Sequence, residues 1–345
     1  MMELRIVGIE AWEAAAEGRI PSPARRFALK DPSGFKVAIE PGLSIHCDLT
    51  VLGGDWIPVR ADGLAALDQM VHTPQLYLPK ARNVRTQQGR CLAMPARWRQ
   101  IDDDALLVGG QGNYYHWLID HLPRLLYALK FADVRHRKLL VNARLTRFQR
   151  ESLELMGVEP SRLIGVEDDE AVTVRSVLVP RLLSCSTVCH PLVRALVREE
   201  FTPTASGQKR RIYLCREDAA SRRLTNEREL ADLVARWGFE RHLLGDMSFQ
   251  AQVDLFSGAE AVVAVHGAGL ANLLFCPEGA TVFEIFTPQH HVTSMMVLAH
   301  IGRQLHVGVP ATVAQQGTDG NPLLGWWTAD LEAMEHALRQ RFGGQ

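Results

Sequence analysis

The stretch Ala261-Val-Val-Ala-Val-His-Gly-Ala-Gly-Leu270 decides how this chain reads. Residues 261–265 are apolar, rich in β-branched side chains and without alternation, the pattern of a parallel strand covered on both faces. The run stops at His266-Gly-Ala-Gly269, and a helix is predicted from Leu270. Gly267 and Gly269 are expected to adopt backbone angles closed to other residues and to let a ligand approach the main chain. The helix that follows would aim its unpaired N–H groups and positive dipole end into the loop. In an open α/β sheet, ligands bind in this place, beyond the carboxyl end of a strand. A phosphate is the guest such a loop suits, with His266 at its edge.

The same alternation of strand and helix extends in both directions. Downstream of residue 210, strands are predicted at 211–214, 240–243, 281–286 and 304–309. Helices are predicted at 226–236, closed by Gly238, at 248–256, capped by Ser248, at 293–300, and at 328–342. Upstream, strands are predicted at 105–108, 138–141, 162–164 and 176–179. Helices fall at 115–131, 148–156, closed by Gly157, and 191–201. Residues 1–100 read as irregular, rich in Pro and Gly, with short strand-like runs at 35–39 and 76–78. The segment 202–209, Thr-Pro-Thr-Ala-Ser-Gly-Gln-Lys, has linker composition. The expectation is an α/β protein with an N-terminal domain over 1–201, irregular to 100 and Rossmann-like over 101–201. A second Rossmann-like domain over 210–345 would face it across a cleft. A length of 345 residues agrees with two cores rather than one.

Charge and cysteines narrow the function classes. Thirty-eight basic and 39 acidic residues give a net charge of −1, which excludes a polybasic nucleic-acid surface. The start MMELRIVGIE lacks the apolar core of a signal peptide. No apolar run approaches the ~20 residues of a membrane span. A cytoplasmic protein is expected, at most peripheral on the inner face of the membrane. Cys185, Cys189 and His190 form the one cysteine cluster, and nothing completes a zinc set, so no metal is expected.

Two constellations carry chemistry. The first is Gly109-Gly-Gln-Gly-Asn-Tyr-Tyr-His-Trp-Leu-Ile-Asp-His-Leu-Pro-Arg124. It imitates a dinucleotide fingerprint, but Tyr115 stands where the third glycine belongs, and the next strand ends in Asn142 rather than an acidic residue. Its helix shows an apolar stripe, Leu118, Leu122, Leu125, Leu126 and Leu129, and a polar one, His116, Asp120, Arg124 and Tyr127. A histidine four residues before an aspartate can be a base oriented by a carboxylate; a solvated helix face is the plain alternative. Pro123 should bend this helix. The second constellation puts Arg216, Arg222 and Arg223 in a loop at the carboxyl end of the 211–214 strand, where they can meet phosphate oxygens. Surface arginines paired within their own loop are the alternative. Glu284 stands in an apolar strand, as a ribose acceptor or as a structural ion pair. Asp102-Asp103-Asp104 precedes a strand and reads as a solvated turn.

In this order, Asn113-Tyr-Tyr-His-Trp-Leu-Ile-Asp120, Leu-Pro-Arg124, Arg216, Arg223-x-x-Asn-Glu227, Phe249-Gln-Ala-Gln-Val-x-Leu-Phe256, His266-Gly-Ala-Gly-Leu-x-Asn272 and Glu284 resemble glycosyltransferase family 61, over roughly residues 105–290. The resemblance implies an inverting, metal-independent transferase of the GT-B type without cofactor. Its partners would be a nucleotide-sugar donor, UDP-linked by preference, and a glycan or lipid-linked glycan acceptor. For this chain it implies a role in bacterial capsular or other surface polysaccharide synthesis. It places the donor on Arg216, Arg223, Asn226, Glu227, His266, Gly267, Ala268, Gly269, Leu270, Asn272 and Glu284. Asn113, Tyr114 and Arg124 would line the cleft. His116 is expected as the base with Asp120 orienting it; reversed roles are the alternative. The final helix would pack back on the N-terminal domain. A GT-B-like epimerase and a non-catalytic sugar-binding protein are the rival readings.

Overall fold

A computed structural model describes residues 5–7, 12–14, 16–20, 22–30, 36–66, 84–86, 90–92, 95, 97–185, 187–204, 209–219, 221–287, 289, 292–317 and 324–343. The run expected at 76–78 and residues 205–208 of the expected linker lie outside them. The fold is mixed α/β, and the chain divides into two compact units, Met1–Glu200 and Phe201–Gln345.

The first unit is built on a mixed sheet. Arg97–Gly109 lies parallel between Lys138–Asn142 and Glu170–Pro180, and Leu163–Val166 extends the parallel side beyond Lys138–Asn142. The chain thus lays its strands outward on one side of Arg97–Gly109 and then returns to the other side. Such a reversal is a topological switch point. The irregular reading of 1–100 needs correcting. Leu43–Leu52 pairs antiparallel with Glu170–Pro180 along almost its whole length, and Ile57–Val59 and Leu64–Ala66 continue the sheet. The ladder skips Arg175 and Asp48, where Asp48 turns left-handed at φ 48°. That interruption puts exposed Cys47 and Asp48 inside an otherwise buried run, which hides the strand from a test of periodicity. A partly buried bidentate ion pair, Arg181 Nε and Nη2 on Glu13 at 3.0 and 2.7 Å, ties the end of Glu170–Pro180 to the N-terminal segment. Asp102 and Asp103 are exposed but lie within the strand Arg97–Gly109 rather than in a turn.

The second unit has a cleaner sheet. Its spatial order is Phe239–His242, Arg210–Leu214, Ala259–Val265, Thr281–Phe286, Leu305–Gln315 and Trp326–Ala329, parallel except for the last pair. The parallel strands therefore run 2-1-3-4-5, a doubly wound order whose switch point lies between Arg210–Leu214 and Ala259–Val265. Val262, Val263 and Ala264 are buried on both faces, as the opening stretch requires. Phe201 belongs here rather than to the first unit, its ring edge-on to Phe249 at 5.0 Å. The final helix, Leu331–Phe342, starts three residues later than expected because Trp326–Ala329 is a strand. Met334, Leu338 and Phe342 are buried in the second unit's core beside Phe239 and Phe283. Among the described residues, no helix is long and apolar enough to cross a membrane.

Candidate functional site

In the first unit, Arg97–Gly109 ends at a glycine that the geometry demands. Gly109 takes φ 89°, and a Cβ there would sit 2.5 Å from His121 Nδ1. Gly109→Ala is therefore expected to cost about 1–3 kcal/mol. Chemical denaturation checks this, and unchanged stability would refute it. Asn113 caps the next helix, its Oδ1 accepting from the backbone N–H of Tyr115 and His116 at 2.9 and 3.4 Å. Tyr114 stands edge-on to Phe148. Both residues thus shape the loop.

The helix itself changes winding. Tyr114–His116 is α, Trp117–His121 is π, and Leu122–Phe131 is α again. Pro123 consequently falls in the first turn of an α segment, where a missing N–H is tolerated, so the wide turn takes the place of a proline kink. The polar stripe is not a solvated face: Asp120 is 3% exposed, Arg124 and Tyr127 0%. His116 Nδ1 lies 2.7 Å from Asp120 Oδ2, and Ser184 Oγ donates to Oδ1 of the same carboxylate. Ser184 follows Glu170–Pro180, so residues after the two strands at the switch point converge on Asp120. Burial lowers the Arg124 guanidinium to about 10, opposed by the neighbouring Asp120. At neutral pH it remains a cation.

In the second unit, Arg216 follows Arg210–Leu214, and His266 with Gly267 follows Ala259–Val265. The two segments meet at the switch point. A Cβ on Gly267 would lie 2.1 Å from Arg216 Nη1. The glycine is needed for that close approach and not for its backbone, since its φ of 177° is extended. Gly269 is likewise crowded by Leu244, 2.8 Å from its would-be Cβ. Arg216 Nη2 donates to the Ser221 carbonyl at 3.1 Å. Burial lowers this guanidinium to about 10, and the charge of Arg222 pushes the same way. The Nε atoms of Arg216 and Arg222 are buried without a hydrogen-bond partner among the described residues. Arg222 also holds a left-handed φ of 55°.

Other expected donor residues have local employment. Arg223 donates to the Glu217 carbonyl and lies 5.5 Å over the Trp326 ring, so the arginine whose charge acts on Arg216 is Arg222. Asn226 clasps the backbone of Ala329 with both ends of its amide, at 2.9 and 3.0 Å. Glu227 accepts from the Tyr213 hydroxyl at 2.6 Å, and burial raises its carboxyl above the usual range. The helix expected from Leu270 is a 3-10 segment, Ala268–Leu274, too short for a strong dipole. Leu270 is buried within it. Asn272 is fully buried and donates to Gln252 Oε1 and the Gly269 carbonyl, bracing the loop from behind. Ala268, by contrast, is half-exposed beside Gly267.

Glu284 receives two histidines. His266 Nδ1 lies 2.5 Å from Oε1, and His306 Nε2 2.6 Å from Oε2. Burial pushes this carboxyl up, but the hydrogen bonds from His266 and His306 outweigh it and hold it below the usual range. The ion-pair reading of Glu284 is the one this geometry matches. Ser184 and His306 were missed by sequence reasoning. His306 faces Val282 in register and so shares a sheet face with Glu284 two residues on, a placement that only the strand pairing reveals.

The second unit is thus doubly wound, with the half-buried cations Arg216 and Arg222 beside its switch point, the place where open α/β sheets take their ligands. The family model described as Glycosyltransferase 61 matches residues 114–283 of the chain. The chain is similar to Protein O-linked-mannose beta-1,4-N-acetylglucosaminyltransferase 2 of Tetraodon nigroviridis, 24% identical over 168 residues, 46% of this chain and 29% of that protein. The protein of the same description from Canis lupus familiaris is 30% identical over 102 residues, 28% of this chain and 18% of its own length. The chain thus spans less than a third of these relatives. Among solved structures, a bacterial iron-containing dodecameric glycosyltransferase, TibC of enterotoxigenic E. coli, aligns with 9% identity and a TM-score of 0.28. It covers 75% of this chain and 72% of that one, a score too low to carry a shared fold.

Proposed function

We propose that this chain is an inverting, metal-independent glycosyltransferase of the GT-B type. It would move a sugar from a nucleotide-sugar donor, UDP-linked by preference, to a glycan or lipid-linked glycan acceptor in bacterial surface polysaccharide synthesis. The observation that carries the reading is Arg216, laid on Gly267 at the switch point of the second unit, with its Nε and that of Arg222 buried and unsatisfied. Two half-buried guanidinium groups, each with a buried Nε that has no hydrogen-bond partner among the described residues, suit an anion with several acceptor oxygens. A nucleoside diphosphate is such an anion. In transfer, charge grows on the departing diphosphate as the anomeric C–O bond breaks, and fixed guanidinium donors stabilise that charge without a metal.

The first unit would supply the base. Both oxygens of Asp120 are engaged, by His116 and Ser184, and the residue is buried, which suits an orienting role. With Nδ1–H donated to Asp120, the imidazole of His116 carries its lone pair on Nε2. That nitrogen would take the acceptor's hydroxyl proton as the oxygen attacks the anomeric carbon from the face opposite the diphosphate, which inverts the centre.

Titration calorimetry with UDP and GDP, with and without EDTA, tests the donor half. A diphosphate should bind equally well in EDTA. Arg216→Ala should weaken it by about 1.5–3 kcal/mol, the scale of a hydrogen bond to a charged group. Binding that requires magnesium or manganese would overturn the metal-free mechanism, and no binding of either nucleotide would overturn the donor assignment.

A further inference from the structure

The histidine His306 lies outside every motif that points to the donor loop, yet it holds one end of a buried chain that leads there. Leu305–Gln315 brings it beside Thr281–Phe286, where its Nε2 meets Glu284 Oε2 at 2.6 Å. The other oxygen of Glu284 meets His266 Nδ1 at 2.5 Å, and the backbone N–H of His266 continues the ladder to the Ile285 carbonyl at 2.9 Å. The next residue is Gly267, whose Cα lies against the Arg216 guanidinium. Three adjacent parallel strands therefore converge on one carboxylate one residue from the anion-binding loop.

A carboxylate in that position needs such partners. Buried at 4% exposure, it is costly to leave unpaired, and its negative charge beside an anion site opposes the anion. Two N–H donors draw off that charge and fix its plane. One of them, His266, is the residue at which strand turns into loop. We infer that His306 is a positioning residue of the diphosphate site: through Glu284 it fixes His266, and with it the loop on which Arg216 rests. Glu284 accordingly orients the site rather than touching a ribose. The inference rests on the donor site proposed above.

The experiment is calorimetry of UDP, GDP and inorganic pyrophosphate with the full chain, its Arg216→Ala variant, and His306→Gln and His306→Asn. A glutamine amide can reach Glu284 with an N–H as the imidazole does; asparagine is one methylene shorter and falls short. His306→Asn is expected to weaken the best-binding probe about 10- to 100-fold, the worth of one hydrogen bond to a charged group. His306→Gln should recover most of that affinity. A structural role alone would not separate the two amides, and their melting midpoints are compared to confirm that both are folded. Wild-type affinity in His306→Asn, or an equal loss in both variants, would overturn the role of His306 while Arg216→Ala still weakened binding. If the wild type binds no probe, or Arg216→Ala binds as the wild type does, the donor site itself falls, and this inference with it.

Discussion

His116→Ala and Asp120→Asn are each expected to lower turnover by about 10²–10⁴-fold, the usual scale of a lost general base, while diphosphate binding to the second unit stays within twofold. The two substitutions act differently. Alanine removes the nitrogen that takes the proton. Asparagine keeps the shape of Asp120 but offers an amide where His116 Nδ1 and Ser184 Oγ now meet a carboxylate, so the imidazole loses its orienting anion. Asp120 is 3% exposed and lies near the buried cation of Arg124, so removing its charge also leaves that guanidinium less compensated. Stability of Asp120→Asn must therefore be measured beside activity; His116, half-exposed, is the cleaner test. Initial rates at saturating donor and acceptor, with calorimetry of UDP on the same preparations, check both. Full activity in both variants would reduce the cluster to packing. Loss of UDP binding in either would show that the first unit shapes the donor site.

The second unit was far more legible than the first. Its two central strands are short and apolar, so Thr281–Phe286 falls on the residues read from sequence and Ala259–Val265 extends that reading by two. Leu43–Leu52 was not legible, because its partner, Glu170–Pro180, lies more than a hundred residues away and the left-handed Asp48 breaks its pattern. Site residues divide the same way. His116 and Asp120 could be paired from their spacing on one helix. The contact of Ser184 with Asp120, and of His306 with Glu284, depends on which strands become neighbours, and local sequence does not state that. Arg222 and Arg223 are adjacent in sequence and chemically alike, and nothing local states that Arg222, held at a left-handed φ, is the one whose charge acts on Arg216.

Gly267→Val is expected to abolish nucleoside diphosphate binding altogether, a loss beyond that of Arg216→Ala. The reason is a single distance. Any β-carbon at residue 267 would lie 2.1 Å from Arg216 Nη1 and 3.1 Å from its Cζ, inside the contact limit of both. The guanidinium must then leave its seat, and the two methyls of valine would occupy the space it vacates. Backbone strain adds nothing, since φ at 177° suits any residue. Alanine is therefore informative too. Gly267→Ala should displace Arg216 and weaken UDP by about the 10- to 100-fold that deleting one charge-assisted hydrogen bond costs. It should also be nearly silent when combined with Arg216→Ala, because the side chain it clashes with is then gone. Such a double-mutant cycle reads the contact directly. Strict additivity of Gly267→Ala and Arg216→Ala would mean that the two residues act apart, and Gly267 would then be required by the ligand's own approach rather than by the arginine's.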